Sequence, residues 1–144
     1  MKNNSSFPSP DNWLPHRVSY GETDAMGWVY YGNYFELFER GRGEYIRTLT
    51  GMSYFDVEER GILLPVREAS CRYRAPARYD ELIMIRTGIQ EWGRASMTFV
   101  YEVYNETKEK MLASGMTQHA CVNRNSKPVR VPEWLIEAFG NVNE

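Results

Sequence analysis

The chain has 144 residues, 42% hydrophobic and 25% charged, which is the balance of a folded globular protein of one domain. A net charge of −2 gives no basic face for DNA or RNA. No segment reaches the ~20 apolar residues of a membrane-spanning helix, and the N-terminal segment MKNNSSFPSPDNW lacks the apolar stretch of a signal peptide. Cys71 and Cys121 are isolated, without a CxxC pair or a histidine at metal-ligand spacing. We therefore expect free thiols in a reducing cytoplasm and neither a metal nor another cofactor.

The first half of the chain predicts a strand, a glycine-containing loop and a long helix. Residues 1–11 are expected to form a flexible lead-in, and residues 12–144 a single domain. Alternation in HRVSYGE, residues 16–22, predicts a half-buried strand. A helix is predicted to start at Gly32 or Asn33 and to stop at Gly51. Its apolar face, at helical spacing, consists of Tyr34, Leu37, Phe38, Gly41, Tyr45 and Leu49.

Two glycines inside this helix require a reason, because each costs roughly 1 kcal/mol relative to alanine. Gly41 lies in the apolar stripe, where a missing side chain lets a sheet or another backbone approach closely. Gly43 lies on the more polar side and has no comparable explanation. Tolerated drift in a long helix is the alternative for both positions.

The second half of the chain is mostly strands. SYFDVEERG predicts a short helical turn, and PEWLIEAFG predicts a short helix with Pro132 near its first turn. Between them, four segments alternate or are rich in β-branched and aromatic residues: LLPVREASCRYRAP, ELIMIRTGIQEWG, ASMTFVYEVYN and MLASGMTQHACVN. NETKEK is a good hairpin turn between the last two strands.

This order of elements predicts an α+β domain in which an antiparallel sheet of about five strands curls around one long helix. Such a sheet keeps one edge and one face poorly covered. Proteins usually pair such edges, so we expect self-association as a homodimer or homotetramer.

The segment from residue 20 to residue 47 carries the chemistry. Asp24 lies in a loop that leads through Gly27 and Gly32 into a helix N-terminus, where unpaired N–H groups and the positive end of the dipole are presented. Acyl transfer needs a group that attacks or activates water, and donors for the developing oxyanion. A loop aspartate before a helix is also a common capping arrangement, so spacing alone leaves both interpretations open.

The same segment resembles the 4-hydroxybenzoyl-CoA thioesterase-like family, whose signature is T-D-x-x-G-x-V-x-x-x-x-Y before a Glu- and Arg-rich central helix. The matching residues here are Thr23, Asp24, Gly27, Val29 and Tyr34. YRAPARYDELIMIRT, residues 73–87, is similar to the family's stretch between its second and third strands. The resemblance covers roughly residues 14 to 135. It implies a hotdog fold, a dimer in which two sheets run together, and an acyl-CoA substrate.

By this resemblance, Asp24 is the catalytic base or nucleophile, and the backbone N–H of Tyr31 polarises the thioester carbonyl. Tyr31 replaces the histidine of the short-chain branch of the family and agrees with the hydroxybenzoyl branch, which leaves the acyl preference open. Trp28 and Met26 are large for this loop and could line an acyl pocket; core packing is the alternative for Trp28. The candidate substrate-binding residues of this segment are Gly27, Trp28, Val29 and Tyr34.

Basic side chains are the natural partners of CoA phosphates. The first candidates are Arg72, Arg74 and Arg78, with Arg124, Lys127 and Arg130 as further ones. Alternation predicts Arg72 and Arg74 on one face of their strand and Tyr73 on the other, and a solvated outer face is the alternative role for these arginines. His119 lies on a predicted strand, where histidines are more often packed or hydrogen-bonded than catalytic. His16 is expected on the strand surface.

Three other functions are possible on this fold. A dehydratase normally needs a histidine beside its carboxylate, and this loop has none after Asp24. A non-catalytic acyl-CoA sensor would need a further module for which the chain has no room. A thioesterase acting on acyl-carrier protein is the main alternative, since it would use the same Asp24 chemistry and dock an acidic partner on basic residues. The sequence does not identify the acyl group.

Overall fold

The computed structural model describes residues 7–140 and contains one curved five-stranded sheet and one long helix. The strands are β1 (Asp11–Arg17), β2 (Val66–Tyr73), β3 (Leu82–Trp92), β4 (Ser96–Asn105) and β5 (Met111–Ala120). The helices are α1 (Tyr34–Thr50), α2 (Tyr54–Glu59) and α3 (Glu133–Ala138), with 3₁₀ turns at Tyr20–Glu22 and Tyr31–Asn33. No helix in this part of the chain is long and apolar enough to cross a membrane.

All strand pairs are antiparallel, and the order across the sheet is β1-β3-β4-β5-β2. The sheet curves around α1, and the core lies between them. The ring of Phe38 on α1 stacks on that of Tyr101 on β4, with 4.3 Å between ring centroids. Tyr45 packs edge-on against Phe99 at 6.0 Å. The predicted α+β architecture is confirmed.

Helix α1 agrees with its sequence prediction at both ends. Gly51 ends the helix with φ = 76°, a left-handed conformation that glycine adopts without steric cost. The buried face contains the predicted residues except Leu49, which is half-buried, and it also contains Ile46. A wide apolar stripe of this kind explains why a sheet can wrap the helix on more than one side.

The first strand is shifted from its prediction, because β1 covers Asp11–Arg17 and not residues 16–22. The alternation after His16 belongs instead to a 3₁₀ turn in which the carboxylate of Glu22 accepts the backbone N–H of Ser19 at 2.8 Å. The same carboxylate contacts His16 Nε2 at 2.9 Å. Local capping therefore outweighs strand alternation at this point.

The lead-in joins the sheet earlier than its polar composition suggests. The ring of Phe7 lies 4.2 Å from the Arg86 guanidinium. The carbonyl oxygen of Pro10 accepts the hydroxyl of Tyr45 at 2.8 Å. Residues 1–6 of the expected flexible segment lie outside the described residues.

Candidate active site

Asp24 lies in a tight hairpin between the first 3₁₀ turn and α1. Its backbone N–H donates to the carbonyl of Trp28 at 2.7 Å, and its own carbonyl accepts the N–H of Gly27 at 2.9 Å. Gly27 has φ = 81°, so this turn needs a residue that accepts the left-handed region. Thr23 and Val29 form an antiparallel bridge across the base of the hairpin. The chain is therefore fixed on both sides of Asp24.

The two oxygens of the Asp24 carboxylate have different surroundings. Oδ1 accepts the backbone N–H of Met26 at 2.9 Å and that of Trp28 at 3.1 Å. Oδ2 has no hydrogen-bond partner within residues 7–140, and the side chain is half-buried. One oxygen thus holds the turn, and the other remains available to a reactant. The carboxylate caps its own hairpin and not the first turn of α1.

The turn Tyr31–Asn33 precedes α1, and the backbone around it is tied to Glu22, the last residue of the first 3₁₀ turn. The carbonyl of Glu22 accepts the N–H of Tyr30 at 2.9 Å and the side-chain amide of Asn33 at 2.9 Å. The N–H of Tyr31 finds no acceptor in the part of the chain that the structure describes, as expected for the first residue of a helical turn. A free backbone donor therefore lies at the entrance to the long helix.

Asp24 and Tyr31 line the same cavity, whose volume is about 380 Å³. Its walls are largely apolar and aromatic. The lining residues are Asp24, Met26, Trp28, Val29, Tyr31, Tyr34, Tyr73, Arg74, Ala75 and Pro76. Trp28 is exposed in this wall, with 37% of its surface accessible, and is not part of the core. Gly27 shapes the loop through its backbone and does not line the cavity.

Tyr34 and Tyr73, two tyrosines of the cavity, keep their phenol protons at neutral pH. Burial raises the pKa of Tyr34 to about 12, with smaller contributions from Cys71 and Glu81. Desolvation, followed by the hydrogen bond with Cys71, raises the pKa of Tyr73 to about 12. Neither phenol therefore ionises under ordinary assay conditions, and each can only present an O–H or accept through a neutral oxygen.

The structure brings only one of the three predicted CoA-binding arginines to this cavity. Arg74 lines it, whereas Arg72 borders a separate cavity on the outer face of the sheet and Arg78 borders another beside Asp80. The prediction that Arg72 and Arg74 share one face of their strand is wrong, because β2 ends at Tyr73 and the alternation stops there. Arg78 is instead held through its backbone, which bridges to Trp28.

The further basic candidates and His119 lie outside this cavity as well. Arg124 donates to the carbonyls of Glu58 and Glu59, at 3.2 and 2.8 Å. His119 is buried, with Nδ1 2.8 Å from the carbonyl oxygen of Leu64 and Nε2 2.8 Å from the hydroxyl of Thr117. It is a hydrogen-bonded core residue, as strand histidines usually are.

Sequence reasoning missed three residues of the site, namely Tyr73, Ala75 and Pro76. They lie in the YRAPAR segment, whose sequence stands out by its arginines and its family resemblance. The signal that could have found them is the end of a strand, since residues beyond β2 leave the sheet and approach the Asp24 hairpin. Among residues 7–140, no group of three or more His, Cys, Asp or Glu side chains is placed to hold a metal.

Comparisons with known proteins agree with this geometry. Residues 18–139 match the model of the thioesterase-like superfamily. The chain is 35% identical over 127 residues to the acyl-CoA thioesterase YbgC of Haemophilus influenzae, covering 88% of this chain and 92% of that protein. It is also 35% identical over 123 residues to a putative esterase of Aquifex aeolicus, covering 85% and 93%.

Solved structures show the same likeness. The DHNA-CoA thioesterase of Staphylococcus aureus superposes with a TM-score of 0.82 at 33% identity, over 92% of this chain and 91% of that one. A 4-hydroxybenzoyl-CoA thioesterase superposes with a TM-score of 0.81, over 90% and 99%, and at 21% identity it supports the fold alone. The family model spans most of the chain, and the close relatives are covered almost end to end. The chain therefore belongs to the thioesterase-like superfamily and has its hotdog fold.

Proposed function

We propose that the protein hydrolyses acyl-CoA thioesters, with Asp24 as the catalytic carboxylate and the Tyr31 N–H as the oxyanion donor. One observation carries the proposal. Within residues 7–140, a carboxylate with one oxygen free of hydrogen bonds and a backbone donor without an acceptor line the same 380 Å³ cavity. Relatives named acyl-CoA thioesterase and DHNA-CoA thioesterase, at 35% and 33% identity, support the same substrate class.

In the general-base form of the reaction, Asp24 Oδ2 takes a proton from a water molecule as the water oxygen adds to the thioester carbonyl carbon. The carbonyl oxygen becomes an oxyanion and accepts the N–H of Tyr31, which needs no reorganisation because its turn is already fixed. The C–S bond then breaks as the carbonyl re-forms. The departing thiolate takes the proton from Asp24, and the products are a carboxylic acid and CoA.

In the nucleophilic form, Oδ2 itself adds to the carbonyl carbon and expels the thiolate, giving a mixed anhydride that water hydrolyses. The geometry of Asp24 suits both forms, since Oδ1 stays anchored while Oδ2 reacts. A single turnover in ¹⁸O-water identifies the nucleophilic form if the acid product carries an enzyme oxygen, which water attack on the Asp24 carbon of an anhydride leaves there. The general base gives acid with one solvent oxygen, as does water attack on the acyl carbon of the anhydride.

The cavity accounts for the acyl end of the substrate better than for its phosphates. Trp28, Tyr34 and Tyr73 provide an apolar wall, and Arg74 is its single guanidinium. Arg72 and Arg78 line other cavities, so a phosphate role for them stays a prediction. Thioesters of one acyl group presented on CoA and on acyl-carrier protein would separate these two carriers.

The substitution Asp24→Asn tests the proposal. We expect turnover to fall by about 10²–10⁴, the range for losing a positioned acid–base group. The fold should survive because the amide oxygen of asparagine can still accept the N–H groups of Met26 and Trp28. Thiol release measures the rate, and a thermal melt checks the fold. A folded variant within threefold of the parent rate would remove Asp24 from the reaction.

A further inference from the structure

Tyr73 is bonded to the backbone of the proposed oxyanion residue. Its hydroxyl donates to the carbonyl oxygen of Tyr31 at 2.9 Å. Its ring also packs edge-on against Tyr31 and Tyr34, with centroids 6.1 and 5.3 Å apart. Tyr73 is the last residue of β2, the edge strand, so this contact joins the sheet to the turn that precedes α1.

A backbone N–H lies in the peptide plane that it shares with the preceding carbonyl, and the next plane, which holds the residue's own carbonyl, is linked to it through that residue's φ and ψ. On one side of Tyr31, the Tyr30 carbonyl accepts the N–H of Asn33 at 2.9 Å, which fixes the plane that contains the Tyr31 N–H. On the other side, the Tyr31 carbonyl accepts the N–H of Tyr34 and the hydroxyl of Tyr73. Of these bonds, only the one from Tyr73 comes from outside the turn.

The hydrogen bonds within a three-residue 3₁₀ turn have poor geometry, so contacts from outside the turn are needed to fix its first residue. An oxyanion donor, by contrast, must be aimed before the reaction, because its advantage comes from needing no reorganisation. We propose that Tyr73 is a positioning residue. Its hydroxyl holds the carbonyl of Tyr31, which restrains the backbone of Tyr31 so that the neighbouring N–H points at the thioester oxygen. This inference rests on the proposed function and adds a residue to it.

Two other roles for Tyr73 fit the structure less well. As a general acid for the leaving thiolate it would be weak, since its O–H is already donated to the Tyr31 carbonyl. As a mere wall of the cavity it would act through its ring, and the hydroxyl would be dispensable. Removing only the hydroxyl therefore separates positioning from packing.

The substitution Tyr73→Phe keeps the ring and deletes the bond to Tyr31. We expect kcat to fall about fivefold, the change that corresponds to ~1 kcal/mol for one hydrogen bond, with KM changed less than twofold. Tyr79→Phe is the matched control, because Tyr79 is an exposed tyrosine outside the cavity and packs only its ring edge-on against Tyr20. The control should leave both constants unchanged.

A double-mutant cycle shows whether Tyr73 acts through the Tyr31 N–H. Tyr31→Pro deletes that N–H, which has no acceptor among residues 7–140, and Tyr30 at φ −60° and ψ 134° already has a conformation that tolerates a following proline. Tyr31→Ala deletes the side chain and keeps the N–H. Proline should lower kcat by about 10²–10³ and alanine far less.

Tyr73→Phe should then lower kcat in the Tyr31→Ala protein and have no further effect in the Tyr31→Pro protein. A fivefold loss in both backgrounds, or no loss in either, would overturn the positioning role. If the Tyr31→Pro protein does not fold, the loss in the Tyr31→Ala protein at constant KM still decides the question. If the Tyr73 prediction fails while Asp24→Asn lowers turnover as expected, only the positioning role of Tyr73 is rejected. An active Asp24→Asn protein would instead reject the proposed function itself.

Discussion

At the scale of single residues, Asp24 has a structural role in its hairpin and a proposed chemical role in the reaction. Because Oδ1 is taken by two backbone N–H groups, the carboxylate cannot rotate freely, and Oδ2 keeps a fixed direction. The capping and catalytic interpretations of the sequence are thus compatible, one for each oxygen. A nucleophile or base that is held in place loses little entropy when the substrate arrives.

His119 is the residue whose protonation should set the acid stability of the fold. Burial is the main cause that lowers its pKa to about 4, from an ordinary value of 6.5. Below about pH 6.5, His119 is therefore protonated in the unfolded chain but stays neutral in the folded protein until the pH nears 4. We expect stability to fall between about pH 6.5 and 4, with a slope of up to about 1.4 kcal/mol per pH unit.

Urea unfolding at a series of pH values measures this slope. The control is His119→Asn, in which the amide can still donate to the Leu64 carbonyl but cannot ionise. Other groups with shifted pKa values, such as Glu22, are common to both proteins and cancel in the comparison. The variant should be less stable at pH 7 and lose less stability on acidification. Equal slopes in the two proteins would contradict the role given to His119.

At the scale of the elements, the two glycines of α1 should respond oppositely to alanine. A Cβ on Gly41 would lie 2.7 Å from Thr87 Oγ1 and 2.9 Å from Ile85 Cγ2, where β3 packs on the helix. A Cβ on Gly43 would meet nothing within 4 Å among the residues that the structure describes. We expect Gly41→Ala to cost about 1–3 kcal/mol through overpacking, and Gly43→Ala to stabilise by up to about 1 kcal/mol through helix propensity.

Equilibrium unfolding of the two variants at one protein concentration measures both free energies of unfolding. Each variant is the control for the other, because both add one methyl group to the same helix. If Gly41→Ala were as stable as Gly43→Ala, the close approach of β3 to α1 would not explain the first glycine. The free energy of unfolding of Gly43→Ala would also show whether glycine at position 43 is tolerated at a cost in helix stability or required.

At the scale of the whole molecule, the sheet has two edges that differ in their capacity to pair. β1 carries an exposed Pro15, which removes a backbone donor from that edge. β2 is exposed along most of its length and presents large apolar side chains, with Val66 at its start and Tyr73 at its end. We therefore expect self-association through β2, giving a dimer or a tetramer.

Sedimentation at micromolar protein should show no stable monomer. Val66→Lys adds a charge to the β2 edge while leaving its backbone pairing with β5 in place, so it should weaken association. The same change at Pro15, on β1, should not weaken it. A folded and active monomer of the parent protein would reject this expectation.

Much of the fold follows from local signals in the sequence. The apolar stripe of α1, its stop at Gly51, the capped start of α2 at Ser53 and the alternation of β3 to β5 are each encoded within a few neighbouring residues. The predicted bounds of the first strand are wrong, because the capping residues Ser19 and Glu22 give this segment the same alternation of polar and apolar residues as a strand. Whether this segment forms a turn or a strand depends on which residues pair across the sheet. No local pattern specifies that pairing.

For the candidate site, the sequence by itself determined that Asp24 lies in a glycine-containing loop before a helix that starts near Asn33, and it carried the family resemblance, since turn chemistry and a motif are local. Only the tertiary structure decided that Tyr73 and Arg74 join this cavity while Arg72 and Arg78 do not. The physical reason is that β2 follows Asp24 by more than forty residues, and the register and curvature of the sheet decide which end of the strand reaches the loop. Alternation assigns a side chain to a face of a strand, but it does not say where that strand ends.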